Sequence, residues 1–362
     1  MAATTVSDLA RRLAERSTRP HTVMEVCGGQ THSIVRWGLD QLLPPGLRLI
    51  HGPGCPVCVT PAATIDGAIA LAGTPGVILC TYGDMVRVPG SRQGMDLLEA
   101  RAAGGDVRLL TSPLEALALA RSCPDHQVVF LAVGFETTAP ATALLARQAL
   151  ALGLPNLSLL TAHVRVAPAM EAILADPANR VEAFLAAGHV CSVLGTAELE
   201  TLVERFRVPV VVSGFAPEDL MAGLCQAVEL LEAGQAAVAN AYGRVVRPQG
   251  NGAARALLEE VFQPIDQPWR GLGPIPGGGL GLRPPFDALD ARRRFPLPEG
   301  EAPEESACPT CEPVCISGAI LQGRATPDQC AAFGRACTPE HPLGAPMVSS
   351  EGACAAWHRY RR

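Results

Sequence analysis

Between about residue 20 and residue 240, short apolar runs rich in Val, Leu and Ile alternate with longer Ala-, Leu- and Glu-rich stretches of helical character. Parallel strands are buried on both faces and need a crossover between them, so this alternation points to a parallel α/β architecture. Eight strands are expected, at 22–26, 47–51, 77–81, 107–110, 128–133, 157–162, 189–194 and 209–213. Helices are expected at 62–71, 91–103, 141–151, 166–175, 197–206 and 217–233. The reading is two similar four-strand α/β domains, 1–125 and 126–245, facing each other across a cleft.

A chain of 362 residues exceeds one ordinary hydrophobic core, so further units are expected beyond this pair. The stretch 264–303 is dense in Pro and Gly, as in QPWRGLGPIPGGGLGLRPPF, and reads as an extended connector within 246–300. Residues 301–362 hold six of the thirteen cysteines and few apolar runs, so a metal or cluster is expected to supply stability there.

Charged residues make up only 18% and the net charge is -6, which leaves no basic stripe for a nucleic-acid backbone. The N-terminal MAATTVSDLARRLAERSTRP has no apolar stretch of signal-peptide type, and no segment offers about 18 uninterrupted apolar residues. A cytoplasmic protein with no membrane partner is expected. In that setting many cysteines signal metal binding or redox chemistry more often than structural disulfides.

In an open parallel sheet, the loops after the strands face the ligand crevice. The first three expected strands run into CGGQTH (Cys27 to His32), HGPGCPVC (His51 to Cys58) and TYGD (Thr81 to Asp84), three loops expected to converge from one edge. Cys55 and Cys58 have the spacing of a redox dithiol, and the helix expected next would stabilise a thiolate at its N-terminus. Cys27 precedes a Gly-Gly turn that lets a bulky ligand approach, and with His32 nearby it offers soft ligands that suit ferrous iron. GFETTAP, with Glu136, and AHVRV, with His163 and Arg165, occupy equivalent positions in the second half; Thr137 and Thr138 also read as helix caps. Cys80, Cys123, Cys191 and Cys225 lack partners at ligand spacing and read as structural.

Cys315, Cys330, Cys337 and Cys354 provide four thiolates on Pro- and Gly-rich loops. Four such ligands suit a cubane iron-sulfur cluster or a structural zinc, and their wide spacing departs from the close pairs of zinc fingers. Cys308 and Cys311 offer substitutes for Cys315.

Taken together, MEVCGGQTH, HGPGCPVC, TYGDMVRVPGS, GFETTAPATA, AHVRV, YGRVVRPQGN and CTPEHPLGAPMVSSEGAC resemble the HypD family of hydrogenase maturation factors along nearly the whole chain. The resemblance implies two similar α/β domains plus a C-terminal region with a 4Fe-4S cluster on Cys315, Cys330, Cys337 and Cys354. It implies a scaffold shared with a HypC-type chaperone, on which iron receives two cyanides and one carbon monoxide before reaching the hydrogenase large subunit. Cyanide would come from a thiocyanate on a HypE-type donor. Cys27 matches the cysteine that holds this iron, Cys55 and Cys58 match the redox pair, and His32 and Glu136 match motif residues of the same site. The chain departs from many relatives at Ser317 and Pro346, where they carry cysteine.

Two other classes fit parts of the pattern. A cluster-dependent thiol-disulfide oxidoreductase would use the CxxC and the C-terminal cysteines, but has no need of Cys27. A zinc-stabilised binding module would leave the CxxC purely structural.

Overall fold

The computed structural model describes residues 5–92, 94–298 and 314–361. Helix α1 (Val6–Arg16) leads into strand β1 (His21–Glu25), α2 (Gly28–Trp37) and β2 (Leu47–His51). Two helices, α3 (Pro56–Val59) and α4 (Ala62–Ala72), precede β3 (Val77–Thr81); α5 (Leu97–Ala102) precedes β4 (Asp106–Leu109), and α6 (Glu115–Ser122) precedes β5 (Gln127–Gly134). Next come α7 (Ala139–Ala151), β6 (Leu157–His163), α8 (Val166–Ala175) and β7 (Ala183–Ala187). Helices α9 (Gly188–Leu194) and α10 (Ala197–Phe206) precede β8 (Val210–Ser213), and α11 (Pro217–Glu232) precedes β9 (Val238–Asn240). Helix α12 (Gly252–Val261), strands β10 (Phe262–Trp269) and β11 (Gly273–Leu282), and helices α13 (Ala291–Arg294), α14 (Ser317–Leu321) and α15 (Ala353–Tyr360) complete the series.

Two parallel sheets form the body, as the alternation of apolar runs and helices requires. Their orders are β2-β1-β7-β8-β9 and β4-β3-β5-β6. The strands are apportioned differently from the expected halves: β7 and β8 join β1 and β2, while β5 and β6 join β3 and β4. A boundary near residue 125 would cut through the second sheet, because the chain leaves the first sheet after β2 and returns to it at β7. Pattern within a strand reports its burial but not which neighbour it pairs with, so the interleaving is invisible in the sequence.

The strand expected at 189–194 is instead helix α9, and the strand lies just before it, at AFLAA. This run pairs with β1 through Met24 and Phe184 and with β8 through Phe184 and Val210, and all five residues are buried. Central placement overrides alanine's helical preference, and the small side chains leave room for helices on both faces.

The expected connector also holds regular structure. Strands β10 and β11 form an antiparallel hairpin, from Phe262 opposite Leu282 to Trp269 opposite Gly273. Glycine makes it fit: a Cβ at Gly279 would lie 2.1 Å from the Gln267 side-chain oxygen. The hairpin buries Trp269, whose indole N–H donates to Gly278 O at 3.0 Å, and Arg165 N–H donates to the same carbonyl, also at 3.0 Å.

Residues 314–361 are short helices and turns around a small core of Ile320, Ala332, Met347 and Ala353, with Cys337 and Cys354 among them. Helix α15 packs on α2. Among the described residues, no helix is long and apolar enough to cross a membrane.

Trp269 is the largest fully buried side chain and fixes the hairpin. Truncation by Trp269→Ala should cost about 3–5 kcal/mol, read as a lowered thermal and denaturant midpoint.

Candidate functional site

The site starts at the C-terminal end of β1, where a carboxylate is buried. Glu25 is inaccessible to solvent, and one of its oxygens accepts the Cys27 N–H at 2.9 Å. The other accepts the Thr31 hydroxyl and faces His51 Nδ1 at 2.7 Å. The Trp357 indole donates to His51 Nε2 at 3.2 Å, and an indole nitrogen only donates. His51 therefore carries its proton on Nδ1 and gives that hydrogen bond to Glu25.

The first two expected loops meet backbone to backbone. Gly28 N–H donates to Gly54 O at 2.7 Å, and a Cβ on Gly54 would lie 2.1 Å from Cys27 N. The third loop belongs to the other sheet and is joined through the C-terminal segment. Asp84 accepts the Ser349 hydroxyl at 2.8 Å, and Glu351 presses on Gly28 so closely that a Cβ there would lie 2.5 Å from it. Convergence thus takes place, but from two sheets and with SSEGAC as the bridge.

Cys27 caps the start of α2 and is buried. Its Sγ lies 3.7 Å from His189 Nδ1, and the His189 ring packs on Phe215 with centroids 5.1 Å apart. Burial, then the carboxylates of Glu25 and Glu351, push this thiol well above the ordinary cysteine range. Burial also draws His189 down to about 4. Thiol and imidazole both wait uncharged, and an arriving cation would reverse that preference at the sulfur.

Cys55 and Cys58 are joined as a disulfide across the first turn of α3, and Cys58 N–H also points to Cys55 Sγ at 3.2 Å. Helix α3 packs against the turn Ala345–Met347, of which Pro346 and Met347 help line a small pocket. Cys315, Cys330, Cys337 and Cys354 line this same pocket.

The pocket suits a group bound through its sulfurs. A Cβ on Gly344 would lie 2.6 Å from Cys315 Sγ, and Leu343 N–H points to Cys337 Sγ at 3.3 Å. Burial first, then the charges of the other three, raise the Cys354 thiol strongly. Among the described residues, no group of three or more His, Cys, Asp or Glu is gathered for a single metal ion. A four-iron cubane spreads its thiolates wider than one ion does, because each sulfur binds a different iron. Cys308 and Cys311 lie outside the described residues.

His32 is drawn into structural duty. Its Nδ1 lies 3.0 Å from Ser350 O and its Nε2 3.2 Å from the Tyr360 hydroxyl, so both nitrogens tie α2 to the C-terminal segment. Glu136 lines a different, small cavity between the sheets, with Cys191 also in its wall. One of its oxygens accepts Val166 N–H at 3.0 Å and the other is buried without a partner. Burial pushes its carboxyl up to about 7.

Other residues singled out in the sequence are held by local partners. His163 is held between Gly134 O and Thr142 Oγ1, and Arg165 pairs with Glu198. The Thr138 side chain makes no cap bond to α7 and donates back to Phe135 O at 3.1 Å. Cys225 donates to Leu9 O at 3.4 Å. Sequence reasoning missed Glu25, His51, His189 and Trp357 as individuals. A carboxylate inside the apolar run VMEV was the available signal, since buried acids are rarely unpaired. His189 was hidden by its placement in a strand.

Fold and site together define a two-sheet α/β protein with cysteines gathered at the loops after β1 and β2 and in the C-terminal segment. One buried thiol caps α2, a disulfide pair follows on the neighbouring loop, and a four-cysteine pocket lies against the turn that packs on the pair's helix. The HypD model, described as the hydrogenase formation hypA family, matches residues 2–361. Similar proteins include the hydrogenase maturation factor HypD of Azotobacter vinelandii, 47% identical over 99% of this chain and 94% of its own. That of Rhodobacter capsulatus is 45% identical over 98% and 93%, and that of Escherichia coli strain K12 is 44% identical over 98% and 92%. The chain belongs to the HypD family of hydrogenase maturation factors.

Two outcomes follow from this geometry. Gly54→Ala should separate the two loops and speed alkylation of Cys27 under native conditions, measured by mass spectrometry. The raised Glu136 carboxyl, with an ordinary value of 4.5 and a folded value of about 7, favours the fold while protonated. Its contribution is full below the ordinary value and is lost as pH rises through about 7. Between about pH 5 and about pH 8, Glu136→Gln should therefore lose less stability than the parent.

Proposed function

We propose that this chain is the scaffold on which the iron of a nickel-iron hydrogenase acquires two cyanides and one carbon monoxide, acting with a HypC-type chaperone. The observation that carries this reading is the position of Cys27. Its thiol stands at the meeting of the CGGQTH and GPGCPVC loops, its backbone N–H is fixed by Glu25, and His189 is at its side. A soft, buried sulfur held this rigidly suits a ferrous cargo shared with a second thiolate from the partner.

Cyanide arrives as a thiocyanate from a HypE-type donor. Releasing it cleaves the S–C bond, takes two electrons, and yields a thiolate and cyanide. Oxidation of Cys55 and Cys58 from dithiol to disulfide gives those two electrons and two protons, so the exchange balances. The disulfide already joining them is the spent form of that couple. Cys315, Cys330, Cys337 and Cys354 would hold a 4Fe-4S cluster, which supplies electrons one at a time when bound. The contact of α3 with the Ala345–Met347 turn sets the pair one packed layer from those cysteines. The hydrogenase large subunit receives the finished unit later, through the chaperone.

Within this scheme Cys27 receives the cargo, Glu25 and His51 position its loop, and His32 latches α2 to the C-terminal segment. Glu136 can hold a proton in the inter-sheet cavity near neutral pH. A cluster-dependent disulfide reductase would share the pair and the pocket, and Cys27 separates the two.

Infrared spectroscopy of the chain co-expressed anaerobically with its chaperone should reveal cyanide and carbon monoxide stretching bands. Cys27→Ala should abolish them. Bands that persist at full intensity in the alanine variant would contradict the anchor role, and absent bands in the parent would contradict the scaffold.

A further inference from the structure

A cleft of about 530 Å³ opens on the face of the first sheet, toward the N-terminal ends of β1 and β2. Thr22 and Arg48, paired in register on those strands, both line it. Cys27 follows the opposite end of β1, so the cleft and the thiol loops lie at different ends of the strands.

Its wall is apolar in part, through Ile50, Ile173 and Leu272, and its charge is three arginines, Arg48, Arg180 and Arg324, against one acid, Asp176. That acid is already engaged, because it pairs with Arg324 and accepts Ala178 N–H at 2.8 Å. Arg48 and Arg180 are exposed, and neither has a hydrogen-bond or ion-pair partner among the described residues. Two unpaired guanidinium groups in one cleft, in a chain of net charge -6, make a local positive field that the fold does not use. Apolar contact surface with arginine around it is the make-up of a protein interface, and the arginine fork matches carboxylates.

Helix α14 joins this cleft to the cysteine pocket. Its Ser317 and Ile320 line the pocket beside Cys315, while Gln322 and Arg324, just beyond its end, line the cleft. Gln322 donates to Gly271 O at 2.6 Å, which fixes this segment to the hairpin turn that carries Leu272.

We propose that the cleft is the docking site of an acidic one-electron carrier protein, which reduces a cluster held by the four cysteines. This rests on the reading of those cysteines as cluster ligands. Each cyanide released takes two electrons and leaves Cys55 and Cys58 as a disulfide, so the electrons must be replaced from outside. The carrier loses one electron and the cluster gains one; two such transfers, with two protons from solvent, return the disulfide to two thiols. Docking beside α14 leaves the Cys27 loops clear for the chaperone and the cyanide donor.

The probe is an acidic plant-type 2Fe-2S ferredoxin. Fluorescence anisotropy of the labelled ferredoxin reads its binding to the full chain, with and without a cluster. Stopped-flow absorbance then reads electron exchange with the anaerobically reconstituted chain, in whichever direction is downhill, with iron and acid-labile sulfide counted. The parent should bind and react at low salt and lose both at about 0.5 M salt, where charges are screened within a few ångströms. Arg48→Gln combined with Arg180→Gln should weaken binding and slow exchange about tenfold and flatten the salt dependence. Reduction by the small methyl viologen radical should keep the parent rate in that variant, and Arg48→Lys with Arg180→Lys should restore binding and exchange. A double glutamine variant that binds and reacts like the parent overturns the proposal, as does a parent that fails to bind the ferredoxin. Reduction slowed equally for both reductants also overturns it, since the arginines would then act through the fold. A parent that takes up no cluster overturns the cluster reading, and this proposal with it, whatever the binding.

Discussion

The carboxylate of Glu25 is the constraint on which the site depends. It sits in the dry interior at the end of a central strand, where an ionised acid is costly unless every oxygen is engaged. Its partners are the Cys27 backbone, the Thr31 hydroxyl and the His51 ring, taken from a loop, a helix and the end of a strand. Satisfying one acid thus fixes the rotation of the loop that carries Cys27. The Trp357 indole, on the far side of His51, extends the same chain of hydrogen bonds to the last helix.

That extension explains how a C-terminal unit with a small core belongs to the site at all. Helix α15 lies on α2, the Ala345–Met347 turn lies on the disulfide helix, and Ser349 reaches Asp84 on the other sheet. Each contact is made by a residue within or next to a cysteine-bearing segment. Thiols that would otherwise be scattered over 328 positions, from Cys27 to Cys354, are brought to one end of the molecule. Burial raises the Cys27 and Cys354 thiols above the ordinary cysteine range.

The placement of the loops was readable in the sequence, and long-range pairing was not. The CGGQTH and GPGCPVC loops declared themselves because glycine and cysteine after an apolar run have few other uses, and they do meet. The five-residue run Ala183–Ala187 did not declare itself, because alanine in a strand is chosen by its neighbours β1 and β8 and not by its own preference. The Gly-rich stretch around Gly279 looked like a linker, since the Gln267 side chain that demands a glycine there is known only from the fold. His32 stood out by its motif, yet its two nitrogens serve Ser350 and Tyr360, more than 300 residues away in the chain.

The central claim is that a thiol scaffold and an iron-sulfur electron store share one end of this fold. Mössbauer spectroscopy of the iron-57-labelled chain, purified without oxygen, tests it most directly. The account predicts the signature of a four-iron cluster, lost when Cys337 is replaced by serine. A colourless protein containing zinc and no iron would contradict it.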